Sequence, residues 1–123
     1  MLEGDEAARA LGIEAVEVGE GRATVRMAVR PDMANVHGTC HGGLLFTLAD
    51  TAFQLACNSY GPVTVAAGAA IEFLAPARPG AVLTARCTEL AKHGRSGLYD
   101  VVVVDAGGVT VAVFRGRSRT VGG

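Results

Sequence analysis

From Arg22 to Arg30 the chain alternates. Ala23, Val25, Met27 and Val29 fall on one face, while Arg22, Thr24, Arg26 and Arg30 take most of the other. A period of two is that of a strand with one side buried and one in water. Ile13 to Val18 alternates in the same way, and Glu20-Gly21 between the two runs predicts a tight hairpin turn. Upstream, Glu6 to Leu11 predicts one or two helical turns ended by Gly12. Pro31 to Cys40 follows no regular period. After it, Gly42-Gly43 opens a stretch whose apolar residues lie at every angle around a helix, which predicts a helix over about residues 42–58 that is covered on all sides. Asn58 to Pro62 ends it, because Gly61-Pro62 forbids continuation.

Beyond Pro62 the pattern predicts strands at Val63 to Leu74, Ala81 to Leu90 after the breaker Pro76-Ala77-Arg78-Pro79-Gly80, Leu98 to Ala106, and Val109 to Arg117. Gly107-Gly108 predicts a two-residue turn joining the last two. There is no internal repeat. The order is thus two strands, one long helix and about four antiparallel strands, an α+β arrangement in a single domain, 1–123. One helix cannot hide its whole circumference against a flat sheet, so five to six strands must curl around it. Part of the remaining helix surface is expected to pair with a second subunit.

Composition narrows the function. A chain of 123 residues that is 50% hydrophobic and 19% charged has the make-up of one globular domain. Its net charge is -1 and its Lys and Arg are scattered, which disfavours a nucleic-acid partner. The acidic, polar start does not resemble a secretory signal, and the longest apolar stretch, Gly42 to Cys57, is too short to span a membrane and carries Asp50 near its middle. A cytoplasmic protein with no membrane association is expected. Cys40, Cys57 and Cys87 are odd in number and outside CxxC spacing, so they are expected to be reduced thiols.

Asp50 is the first candidate for chemistry. A buried helix has no structural use for a carboxylate midway along it, since desolvating a charge costs several kcal/mol unless it is paired. The plain alternative is a carboxylate hydrogen-bonded to its own helix, or to Thr51 or Thr47 at a subunit contact. Gly42 and Gly43 leave amide N–H groups at the positive end of the helix dipole, a ready oxyanion hole; the plain alternative there is a tight turn. Eight residues separate Gly42 from Asp50, roughly 12 Å of helix, too far for both to touch one carbonyl. Two such helices running antiparallel across a twofold axis would bring the amide of one to the carboxylate of the other.

His37, Cys40 and His41 match none of the usual zinc spacings, so no metal is assigned. His41 is expected to donate a hydrogen bond that fixes the loop or a substrate carbonyl, and Asn35 to hold the loop or a water. Cys40 reads as a buried thiol rather than a nucleophile. Lys92-His93-Gly94-Arg95-Ser96-Gly97 is a polar, cationic turn that either receives the phosphates or pantetheine arm of coenzyme A, through Arg95 and Ser96, or is an ordinary solvated loop. Arg115, Arg117 and Arg119 alternate on the last strand and add positive charge.

Asn35, His41-Gly42-Gly43, Asp50-Thr51-Ala52, Ile71-Glu72-Phe73-Leu74-Ala75-Pro76, Leu98-Tyr99-Asp100-Val101 and Phe114-Arg115-Gly116-Arg117-Ser118-Arg119 together resemble the PaaI-type thioesterases of phenylacetate degradation, within the hotdog thioesterases. The resemblance runs from about Gly12 to the C-terminus. It implies a curled sheet around one helix, hydrolysis of phenylacetyl-CoA or hydroxyphenylacetyl-CoA, no cofactor beyond the coenzyme A of the substrate, and a homodimer assembling to a homotetramer. It further implies Asp50 as base or nucleophile, the Gly42 amide as oxyanion donor, Asn35, His41 and Thr51 as positioning groups, and Gly43 and Gly68 beside the substrate. The chain departs from the family at Ala67-Gly68-Ala69, near where many relatives carry a Ser or Thr that binds the attacking water; Thr51 or Thr64 is the expected substitute. The rival function is a non-catalytic acyl-CoA-binding module, against which Asp50 stands. A hotdog hydratase would need a His acid-base partner beside the carboxylate, which the chain does not obviously supply.

Overall fold

The computed structural model describes residues 1–122; the expected domain 1–123 ends on Gly123, which lies outside the described residues. The elements run α1 (Glu6–Ala10), β1 (Glu14–Gly19), β2 (Arg22–Ala28), a 3-10 turn (Pro31–Met33), α2 (Gly42–Cys57), β3 (Thr64–Phe73), β4 (Val82–His93), β5 (Ser96–Val104) and β6 (Thr110–Thr120). The six strands form one antiparallel sheet in the order β1-β2-β4-β5-β6-β3, so β1 and β3 are its edges. The sheet curls round α2. Ala23, Val25 and Met27 of β2, Leu83, Ala85 and Cys87 of β4, and Tyr99, Val101 and Val103 of β5 point inward onto Leu48, Ala52, Phe53 and Ala56. The alternation in the sequence thus separates the face under the helix from the face in water.

Three aromatic rings fix the helix in its groove. Phe53 meets Tyr99 edge-on at 5.5 Å and Phe114 at 5.7 Å between centroids. Gly116 lies beneath Phe53: a Cβ there would come within 2.9 Å of the ring. The hydroxyl of Tyr99, a residue 1% exposed, donates to Glu89 Oε1 at 3.0 Å, and Tyr60 donates to the same oxygen at 3.0 Å. Replacing Tyr99 by Phe removes one of these bonds without leaving an unpaired donor, so a loss of about 1 kcal/mol in urea unfolding is expected. An unchanged midpoint would show that Tyr99 acts through its ring alone.

Turn chemistry moves several boundaries. Gly21 takes φ +72° in the two-residue β1–β2 turn that the sequence predicts. The strands β4 and β5 reach further than expected, to His93 and from Ser96, because Gly94 at φ +60° closes a two-residue turn with Arg95. Gly107-Gly108 is not a two-residue turn. Asp105 Oδ1 accepts from the amides of Gly107 and Val109, both at 2.9 Å, and a loop of residues 105–109 replaces it.

Within a single chain the sheet does not cover α2 all round. Gly43, Thr47, Asp50 and Gln54 follow one another at helical spacing, and along this stripe the helix remains partly or fully exposed. The two sheet edges also differ. β1 is short, bulged at Val16 and carries Glu14 and Glu17, which blunts it against further pairing. β3 has ten residues with Glu72 as its single charge, and Val65, Ala66, Ala67, Ala69, Ala70 and Phe73 are exposed.

Candidate active site

All the candidate groups on α2 are placed by its first three turns. His41 is the N-cap, but its side chain caps nothing; its carbonyl accepts from Leu44 and Leu45, and its amide donates to Met33 O at 2.9 Å. The expected loop-fixing bond therefore comes from the His41 backbone, while the exposed imidazole makes no hydrogen bond among the described residues. With no capping side chain, the amides of Gly42 and Gly43 donate to nothing among the described residues and face outward at the positive end of the helix.

The loop before α2 is ordered by Asn35. Its Oδ1 accepts from the His37 amide at 2.9 Å, the Thr39 amide at 3.2 Å and the Thr39 hydroxyl at 3.2 Å. The oxygen is thus spent on the loop, and the carboxamide N–H groups stay available. Asn35 and Gly42 share a cleft of about 390 Å³ with Thr39, Leu45, Phe73 and Pro76. Phe73, at the end of β3, lies on the first turn of α2. A Cβ on Gly42 would come within 3.0 Å of its ring, so Gly42 lets the ring pack closely as well as leaving a bare amide. His41 and Gly43 line a neighbouring cleft with Met33 and Leu44.

Asp50 sits two turns further along, half-buried, on the open stripe of α2. Burial raises its carboxyl above the usual range; a hydrogen bond from Gln54 opposes the shift, and the charge of Asp5 adds to it. Neither Thr47 nor Thr51 is its partner. The Thr47 hydroxyl donates to Gly43 O at 2.9 Å and the Thr51 hydroxyl to Thr47 O at 2.7 Å, both within the helix. Gln54, on which no sequence expectation falls, is the partner, with Nε2 3.4 Å from Asp50 Oδ2. Its signal in the sequence is the four-residue spacing of a carboxylate and an amide on one helix face. Beside Asp50, Leu2, Asp5, Thr51, Gln54, Leu55 and Asn58 border a cleft of about 490 Å³.

The remaining candidates lie elsewhere. Gly68 follows a bulge at Ala67 and pairs with Arg117, whose guanidinium lies over it and donates to Ala67 O at 3.2 Å. Gly68 therefore faces the outside of the sheet, away from α2. Of the two expected substitutes for a missing Ser or Thr, Thr51 donates to Thr47 O, and the Thr64 hydroxyl bonds Pro62 O at 3.0 Å and meets Thr120 Oγ1 at 3.1 Å. Arg95 lies in the β4–β5 turn and Ser96 opens β5 beside it, and Arg95 O accepts from the Thr120 amide at 2.7 Å. Thr120 pairs with Thr64, and Thr64 is clamped to Asn58 through bonds of 2.9 and 3.0 Å, so this turn lies at the C-terminal end of α2, opposite Gly42.

The three cysteines are unpaired and buried. Burial raises Cys40 and pushes Cys57 to about 11 and Cys87 to about 12, which keeps them protonated and poorly nucleophilic. Among the described residues no group of three or more His, Cys, Asp or Glu is arranged to hold a metal ion, and no helix is long and apolar enough to cross a membrane.

A six-stranded antiparallel sheet curled around a single long helix, with free amides at the helix start and a carboxylate two turns on, places the chain among the hotdog proteins. The thioesterase superfamily matches residues 37–112, and the chain belongs to it. The acyl-coenzyme A thioesterase PaaI of Escherichia coli is 46% identical over 123 residues, covering 100% of this chain and 88% of that protein. The structure of E. coli PaaI, from the phenylacetic acid degradation operon, superposes with a TM-score of 0.98 over 100% of this chain and 89% of that one, at 46% identity. A mutant of the phenylacetic acid degradation protein PaaI from Thermus thermophilus is 38% identical, with a TM-score of 0.91 over 95% of this chain and all of that one. A thioesterase protein of Streptococcus pneumoniae solved with coenzyme A is 25% identical, with a TM-score of 0.85 over 89% of each chain.

Proposed function

We propose that this protein hydrolyses acyl-coenzyme A thioesters, with aromatic acyl groups such as phenylacetyl or hydroxyphenylacetyl as its substrates, at a site shared between two subunits. The observation that carries this reading is the layout of α2. Its free N-terminal amides and its half-buried carboxylate belong to one rigid helix and stand roughly 12 Å apart, too far to act on one carbonyl within a chain. A second copy removes the difficulty. β3 is a long, nearly uncharged edge of a kind that pairs with another strand. It runs from the C-terminal end of α2, at Thr64, to the N-terminal end, at Phe73. Antiparallel pairing of two β3 strands therefore sets the two α2 helices antiparallel, with Gly42 of one chain towards Asp50 of the other.

In this site the Gly42 amide receives the developing oxyanion. Asn35 and His41 flank the carbonyl, and Gly43 and Thr51 lie along the same helix. Asp50 takes a proton from water as its oxygen attacks the thioester, and that proton leaves with the coenzyme A thiolate; direct attack by the carboxylate is the other route. The same pairing brings Arg95 and Ser96 of one chain beside the α2 N-terminus of its partner, where the phosphates or pantetheine arm can reach them. The likeness to PaaI supports a further pairing of two homodimers into a homotetramer. Three buried, unpaired thiols suit a reducing compartment, and we assign the protein to the cytoplasm.

A panel of acyl-CoA thioesters assayed with a thiol-reporting dye tests this directly. Turnover is expected across the panel, with aryl-acetyl groups ahead of linear chains. Binding of coenzyme A thioesters with no thiol released would overturn the enzymatic reading in favour of a non-catalytic acyl-CoA-binding module.

A further inference from the structure

Asp50 has one hydrogen-bond partner among the described residues, and it acts on one oxygen only. Gln54 Nε2 donates to Oδ2 at 3.4 Å, and Oδ1 accepts from nothing. The neighbouring hydroxyls are committed, Thr47 to Gly43 O and Thr51 to Thr47 O. Asn58, the next polar side chain along this side of α2, is held by Gln54 O and by both backbone groups of Thr64. Gln54 itself is exposed, and its amide is the one donor that reaches the carboxylate.

A free carboxylate presents two equivalent oxygens and turns easily between them. A donor on one of them breaks that symmetry. We propose that Gln54 is the positioning residue for Asp50, holding Oδ2 so that Oδ1 is the oxygen turned to water or thioester. This rests on the reading of Asp50 as the reacting carboxylate. The bond also favours the ionised form, against burial and against the negative charge of Asp5 at the start of α1. The other ionisable groups nearby are Glu6 and the Met1 amine, around the same cleft, and Cys57 further along α2. Among the described residues the sheet sets no charged side chain against Asp50.

The test compares wild type with Gln54→Leu, Gln54→Glu and Gln54→Lys, each checked by circular dichroism. Gln54 is exposed, so all are expected to fold. One readout is the pH profile of kcat and KM. The other needs no activity: the titration of the Asp50 carboxyl by carbon NMR in protein labelled at aspartate carboxyls, its signal assigned by its loss in Asp50→Asn. Gln54→Leu is expected to move both the acid limb and the NMR titration to higher pH, Gln54→Glu further in the same direction, and Gln54→Lys below wild type. Above the limb, kcat of Gln54→Leu should still fall roughly three- to tenfold with KM within about twofold, since the oxygen that faces water is no longer fixed.

Coincident NMR titrations of wild type and Gln54→Leu, or an unchanged kcat above the limb in an active enzyme, would overturn the positioning role. If wild type hydrolyses no acyl-CoA while the titrations still separate in the stated order, the hold of Gln54 on Asp50 stands and the proposed function falls.

Discussion

Asp50→Asn is expected to lower kcat at least a hundredfold while leaving the assembly intact, in line with losses of about 10²–10⁴ when a general base is removed. The substitution keeps the shape of the side chain and relieves a half-buried charge, so the fold has no reason to suffer. The pH dependence has a definite sign. The reacting form is the ionised carboxylate, and burial and Asp5 hold its titration above the ordinary range. Turnover should therefore be flat at high pH and fall as the pH drops through that raised value. Steady-state assays from acid to neutral pH, with size-exclusion chromatography of the variant, check both points; activity of Asp50→Asn within tenfold of wild type would remove Asp50 from the reaction.

Mixing two inactive variants is expected to restore activity. Gly42→Pro removes the oxyanion donor, and proline is well suited to the first position of a helix, where its missing N–H breaks no helical bond. Its ring meets Phe73, an exposed side chain at a strand end that can give way. Asp50→Asn keeps the donor and lacks the base. If each site takes Gly42 from one chain and Asp50 from the other, a mixed dimer has one intact site of two. Half the dimers from a one-to-one mixture are mixed, so recovery should approach about a quarter of wild-type activity. A tagged pull-down must first show that mixed dimers form. Mixed dimers with no recovered turnover would exclude the shared site.

The sequence made the fold legible because its two periods are clean. A period of two marks β2, and an apolar helix with abrupt stops marks α2 within a residue of its observed end. What it hides are contacts made by single polar side chains. Asp105 reshapes the last hairpin by capturing two amides, and nothing in the spacing of Gly107 and Gly108 announces it. The open stripe of α2 is hidden as well, because Leu44 and Leu55 border it and make the helix look uniformly apolar. Asp50 stands out because a charge in such a helix is costly. Gln54 does not, because an amide four residues from a carboxylate is common on any helix surface. The resemblance implies Gly68 beside the substrate and Thr51 or Thr64 as the holder of water; in the fold the Arg117 guanidinium lies over Gly68, and the Thr64 hydroxyl meets Thr120 Oγ1, contacts that the sequence does not announce.

Because one helix carries both the amide donors and the carboxylate, their separation is counted in residues rather than set by a flexible loop. Each residue of an α-helix turns the next by about 100°. One residue inserted between Gly43 and Asp50 would swing the carboxylate off the exposed stripe to the buried angle that Thr51 now holds, and one deleted would turn it to that of Ala49, on the side of Phe53. The interval therefore tolerates substitution but not a change of length. The loop at 105–109, which touches neither group, is free to lengthen or shorten as the chain diverges.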